Sequence, residues 1–195
     1  MKNIFIDLGT HFGQGLSHFI RLFKIDSSWM VFSFEANPIV FNAFIKKDIF
    51  LKNIIFYNKA AFTYDGSIVI NVETPPNEGE TGMGSSVIDL KEWNPWNGKL
   101  RESFKTNYSV ECIDFSNFIK MLHNTDTNIF VKMDIEGSEF CILEKMIEEK
   151  TIFLIKEIWI EFHDSFFVDK ESYIKRKENI ILFLNENKIK YNEWH

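Results

Sequence analysis

Ile129-Phe130-Val131-Lys132-Met133-Asp134-Ile135-Glu136-Gly137-Ser138-Glu139 joins an apolar run to a group of carboxylates around a glycine. The run reads as a buried strand. In an open α/β sheet, the C-terminal end of such a strand is where ligands bind. Two other segments have the same form. Ile4-Phe5-Ile6-Asp7-Leu8 leads into Gly9-Thr10-His11-Phe12-Gly13-Gln14-Gly15, and Lys156-Glu157-Ile158-Trp159-Ile160 leads into Glu161-Phe162-His163-Asp164. Three strand ends bearing titratable groups point to an enzyme.

Around these segments, short apolar runs alternate with stretches of helical period. That is the pattern of an α/β fold, a mostly parallel sheet with helices on both faces. Strands are expected over about residues 2–8, 31–34, 54–57, 68–72 and 108–112, with others ending at Met133 and near Phe162. The Gly13-Gln14-Gly15 turn opens a helix through Phe23, and Pro38 suits the first turn of the next. Asp114 is positioned to cap a helix whose Phe115, Phe118, Ile119 and Leu122 share a face. Further helices run from Phe140 to Glu149 and from about Tyr173 to Asn185, before a last strand near 188–191. From about 73 to 107 the pattern dissolves among prolines and glycines. A stretch of that length is either a lid or binding loop, or a surface excursion anchored by Trp93 and Trp96. With no repeat and no internal boundary, residues 1–195 read as one domain carrying that insertion.

A net charge of −6 argues against a phosphate-backbone partner, since nucleic-acid binders carry a basic footprint. Lys175-Arg176-Lys177 is short, lies among acids, and reads as a solvated helix face. Cys112 and Cys141 lack metal-ligand spacing and suit free thiols in a reducing cytoplasm. The chain enters a strand at once, without a leader pattern, and no apolar run reaches the roughly 18–20 residues that span a bilayer. The expectation is a soluble cytoplasmic protein with a small-molecule substrate, without nucleic-acid or membrane partners, and with homo-oligomerisation left open.

Asp7, Gly9, Gly13 and Gly15, taken with Glu35, suit a nucleoside-bearing cofactor. Glycines let the backbone approach a ligand, and an acid some 20 residues beyond the last of them accepts ribose hydroxyls. The spacing is G-x-x-x-G-x-G rather than the dinucleotide pattern, and Asp7 sets a carboxylate where a pyrophosphate would repel it. That favours a cofactor with positive character, such as S-adenosylmethionine. The plainer alternative is a tight strand-to-helix turn with surface acids.

These segments carry a family resemblance. Ile6–Gly13, Phe34-Glu35-Ala36-Asn37-Pro38, Asn58–Phe62, Gly84–Val87, Val131–Glu139 and Ile160–His163 resemble the FkbM-type methyltransferases, in the family's order. The resemblance implies a Rossmann-like class I methyltransferase fold using S-adenosyl-L-methionine, acting mainly on hydroxyls. It implies that the Asp7–Gly15 loop, with Thr10 and His11, holds the methionine part and that Glu35 holds the ribose. Ala36, Asn37 and Ala60-Ala61 would flank the adenine, and Asp134 would close the pocket. Two departures stand out. His11 occupies a position where a small or asparagine-like residue is usual, and only one strand is visible after the last helix where two are normal, so either the sheet is abbreviated, a partner completes it, or the chain is trimmed.

Methyl transfer to oxygen is an in-line displacement with the acceptor oxygen about 3 Å from the methyl carbon. A positioned base contributes about 10²–10⁴-fold. The candidates are His163, Asp134, Glu161 and Glu136. His163 is the first choice as base, because imidazole titrates near working pH. Glu161, on the same strand face, would orient it. Asp134 and Glu136 would hold acceptor hydroxyls or cap the helix near Ser138. Asp134, Glu161 and His163 together also suit Mg²⁺ or Mn²⁺, although no spacing demands a metal and metal dependence is not favoured. Trp93 and Trp96 would cover a sugar ring, with Ser85 and Ser86 as hydrogen-bonding partners. The reading is an O-methyltransferase acting on a sugar, sugar nucleotide or glycan precursor. The alternatives are an NAD-linked oxidoreductase and a non-catalytic accessory subunit.

Overall fold

The computed structural model describes residues 1–45, 53–73, 84–94, 104 and 106–194. Among them the strands are β1 (Lys2–Leu8), β2 (Met30–Phe34), β3 (Ile54–Tyr57), β4 (Ala60–Phe62), β5 (Gly66–Val72), β6 (Thr106–Asp114), β7 (Thr127–Met133), β8 (Glu157–Ile160) and β9 (Tyr191–Glu193). The helices are α1 (Gln14–Leu22), α2 (Pro38–Ile45), α3 (Phe115–Leu122), α4 (Glu139–Glu148) and α5 (Lys170–Glu186). Six strands make an all-parallel sheet in the order β3-β2-β1-β7-β8-β9, and β4-β6-β5 make a smaller one. The chain winds outward from β1 to one side and later from β7 to the other. The crevice between the C-terminal ends of β1 and β7 is therefore the topological switch point.

The period of two along β1 decides which helix covers which face. Ile4, Ile6 and Leu8 pack with Phe115 of α3, Phe140 and Leu143 of α4 and Leu184 of α5. Phe5 turns the other way, onto Leu16 and Phe19 of α1. Full burial of an aromatic side chain such as Phe5 or Phe19 contributes about 1.5–3 kcal/mol, several times any propensity difference at one position. Packing, more than local preference, therefore holds α1, whose Gly13 cap adopts a left-handed φ of 84° and offers no side-chain hydrogen bond. The α3 start follows the sequence more directly, with the Asp114 side chain accepting from Asn117 N.

Some expectations shift. β4 has only three residues, too few to show a period, and it pairs parallel with β6. The last strand lies at Tyr191–Glu193 because α5 runs to Glu186 and Lys188 turns the chain with a φ of 56°. As expected, one strand follows the last helix, and it pairs parallel with β8. β8 ends at Ile160, so Glu161 and His163 lie in the loop beyond it and do not share a strand face. The described part of the insertion, Gly84–Asn94, is laced to the core. Asn71 and Ser86 exchange two backbone hydrogen bonds, and Asn94 N donates to Phe166 O. Those contacts anchor this piece, and residues 74–83, 95–103 and 105, on which the choice between lid and excursion also falls, are outside the described residues. No described helix is long and apolar enough to cross a membrane.

Candidate active site

A cavity of about 420 Å³ opens at the switch point. From the β1, β2 and β4 side it is lined by Gly9, Thr10, His11, Gly15, Glu35, Ala36, Ala60 and Ala61, with Ser85 beside them. From the β7 and β8 side come Asp134, Glu136, Glu161 and His163. Residues separated by more than 150 positions thus share one space. Of the other residues read from the sequence, Asp7, Gly13, Asn37, Ser86 and Trp93 are not part of the lining, and Trp96 lies outside the described residues.

Glu35 ties two loops together. Its Oε2 accepts from His11 N and its Oε1 accepts from Asn37 N, both at 2.7 Å. Each oxygen retains a further lone pair, so the carboxylate can still accept hydroxyl protons from a ligand. Burial pushes the Glu35 carboxyl up, and the two backbone donors oppose that rise. His11 sits at φ 49°, a left-handed conformation in which Asn, Asp and His are the enriched side chains. The substitution noted at this position is therefore sterically mild. Thr10 shares a 2.6 Å hydrogen bond with Ser33 and donates to Phe34 O, pinning the β1 loop to β2. Asn37 supports the α2 start by accepting from Ile39 N.

Gly9 is required by contact as well as by conformation. At its φ of 75°, an added Cβ would stand 1.7 Å from the Asp134 carbonyl oxygen. Gly9→Ala is expected to destabilise the protein by more than about 2 kcal/mol, through left-handed strain and separation of the β1 and β7 loops. Urea unfolding measures it. A loss below 0.5 kcal/mol, on the order of an ordinary surface change, would show that the two loops do not meet.

Asp7 does not reach the cavity, which corrects its expected contact with the cofactor. It is fully buried and lies 3.5 Å from the Lys132 ammonium, its neighbour across the β1–β7 register. Burial pushes the Asp7 carboxyl up, against the pull of Lys132. Lys132 Nζ also approaches Asp134 Oδ2 at 3.1 Å and donates to Leu8 O and Gly9 O. Burial disfavours its charge, but Asp7 and Asp134 outweigh that and hold it above the usual range. Lys132 was assigned no role from the sequence, where it reads as one polar residue in an apolar strand. It is the cation that assembles the loop after β1.

The acidic end is organised by Glu139, also missed. Its two oxygens accept from Ile135 N and Gly137 N, each at 2.9 Å, and Oε1 lies 2.9 Å from His163 Nδ1. Glu139 thus fixes the turn after β7, and neither Asp134 nor Glu136 caps α4 as expected. Glu136 adopts φ 53°, a conformation uncommon for its type that persists only where surroundings over-determine it. Here Ser86 Oγ donates to Glu136 O, which corrects the expectation that Ser86 faces the substrate. Trp93 is also corrected. It is fully buried against Phe166, Phe167 and His163, so its faces are not available to a sugar ring.

His163 is 5% exposed and meets four carboxylates. Beyond Glu139, its Nε2 lies 3.4 Å from Glu136 and 3.9 Å from both Asp134 and Glu161. Burial opposes charge on the ring, yet Glu139, Glu136 and Asp134 outweigh it and push His163 up to about 10. Burial pushes Glu136 up to about 8. These neighbours favour the charged form of the ring, against what a general base needs. Burial, reinforced by the Asp134 charge, also raises the Glu161 carboxyl, which keeps its opening to the cavity.

The parallel sheet, its switch point and the cavity there make this a Rossmann-like α/β fold with its ligand site at the switch point. The sequence profile of the Methyltransferase FkbM domain matches residues 7–190. The chain belongs to the FkbM methyltransferase family. Among solved structures it is similar to the methyltransferase FkbM from Methylobacillus flagellatus KT, at 16% identity and a TM-score of 0.39. The likeness covers 78% of this chain and 31% of that one, so this chain spans about a third of that protein's length. A comparison with curated proteins found no match.

Proposed function

We propose that the cavity binds S-adenosylmethionine and that the protein methylates a hydroxyl of a small acceptor, a sugar, sugar nucleotide or glycan precursor. The observation that carries this reading is the joining of Glu35 and the glycine loop with an acidic cluster in one cavity. The residues fit such a cofactor. Glu35 has lone pairs for ribose hydroxyls, and the acids favour a sulfonium over a pyrophosphate. Ala36, Ala60 and Ala61 supply small apolar surface for a base.

When bound, S-adenosylmethionine supplies an electrophilic methyl group on a positively charged sulfur. The protein's part is to position the acceptor and take its proton. Glu161 is the base: it opens to the cavity, and its raised pKa brings it closer to a hydroxyl's needs than an ordinary carboxylate. Asp134, about a quarter exposed, accepts hydrogen bonds from neighbouring hydroxyls. A neutral polyol offers such pairs, whereas an anion at this end would meet repulsion. Lys132 holds Asp134 and the β1 loop in register while this occurs.

Thermal unfolding with S-adenosylhomocysteine and with NAD separates this reading from an oxidoreductase. Ligand at 100 times its Kd adds about 2.7 kcal/mol to stability, a rise of several degrees in Tm. The rise is expected with S-adenosylhomocysteine only. A rise with NAD alone, or with neither, rejects the proposal.

A further inference from the structure

We propose that Asp134, Glu136 and His163 form a divalent-cation site of the Mn²⁺ type on the acidic wall of the cavity. One ligand atom from each of the three lies within 4.8 Å of the others. Ligands about 2.1 Å from a shared cation sit about 3.0–3.5 Å from one another, so a small inward closure completes the set. Two carboxylates and one imidazole form a mixed oxygen and nitrogen donor set that suits a first-row dication.

A second observation separates this from a bare acidic cluster. His163 is almost wholly buried, and its ring is aimed. Nδ1 is held by Glu139, which is itself fixed by Ile135 N and Gly137 N, so Nε2 faces Glu136, Asp134 and Glu161. A carboxylate behind the far ring nitrogen is the arrangement that orients metal-binding histidines. Glu136 Oε2, sealed from solvent and 3.4 Å from that Nε2, has no hydrogen-bond partner among the described residues. Glu136 is held there at a left-handed φ by the Ser86 contact to its carbonyl.

Three donors leave positions open toward the cavity, where an acceptor hydroxyl completes the shell and becomes more acidic. Glu161 stays outside the ligand set and takes the hydroxyl proton. The alkoxide oxygen forms the new bond to the methyl carbon as the carbon–sulfur bond breaks, and the electron pair stays on sulfur. This catalytic use rests on the methyl-transfer reading; cation binding does not.

The test is calorimetric titration of chelator-treated protein with MnCl₂, with and without S-adenosylhomocysteine. One equivalent is expected to bind with Kd below about 100 μM, in the range of modest oxygen-rich sites. Glu136→Gln and His163→Asn are each expected to weaken it at least about tenfold. Retained S-adenosylhomocysteine uptake shows that the variants are folded. Should either variant fail to fold, nitrogen hyperfine coupling on Mn²⁺ bound to the unaltered protein decides for or against the imidazole ligand. No saturable uptake, uptake insensitive to both substitutions, or no nitrogen coupling overturns the site. S-adenosylhomocysteine uptake without Mn²⁺ uptake removes the metal and leaves methyl transfer standing; the converse keeps the metal and removes methyl transfer.

Discussion

Replacing Lys132 with methionine is expected to lower stability by about 3–5 kcal/mol, the cost of leaving a buried charge without its partner. Asp7 is fully buried, and Lys132 is its only ion-pair partner among the described residues. Two carbonyls of the β1 loop, at Leu8 and Gly9, lose their donor in the same step. The melting temperature should fall by on the order of 10 °C for a chain of this size. Adding Asp7→Asn should restore part of that loss, because the orphaned carboxylate is then gone and the two effects are coupled. Equal and additive losses from the two substitutions would mean that the pair contributes nothing as a pair.

Glu161→Gln is expected to cut turnover by about 10²–10⁴-fold with any hydroxyl acceptor that the unaltered protein methylates, the usual contribution of a positioned base. Glutamine keeps the shape and the acceptor oxygen, so cofactor affinity should hold and the loss should fall on kcat. A base must be unprotonated to act. The acid limb of the unaltered protein's pH profile should therefore vanish in the variant. Turnover within tenfold of normal would exclude Glu161 as the base.

The parallel sheet was legible because its strands announce themselves locally: Ile4–Leu8 and Ile129–Met133 are apolar runs that end in acids or glycine. The cavity wall at Gly9–Gly15 and Glu35 was legible for the same reason, since each piece follows a strand end, whereas Ala60 and Ala61, inside the short β4, came only from the family resemblance. What was not legible depends on partners distant in the chain. Lys132 acquires meaning only through its register with Asp7, 125 positions away. Glu139 reads as an ordinary acid in the first turn of a helix, and its role comes from the positive φ values at Glu136 and Gly137 that fold two N–H groups onto it. Trp93, in a glycine- and proline-rich segment, looked available for stacking. Its burial comes from pairing with Phe167, which no local pattern discloses. The surroundings of His163, likewise, come from four carboxylates beyond two strand ends, Asp134, Glu136 and Glu139 after one and Glu161 after the other.

The clasp that Glu35 makes on His11 and Asn37 is formed wholly within the protein, from two backbone N–H groups. The nucleoside of the proposed cofactor would therefore meet a finished receptor wall, and little chain freedom would be surrendered on docking beyond the ligand's own. Recognition at that end should resemble a key seating in a rigid lock, quick to form and little altered by loop mutations elsewhere.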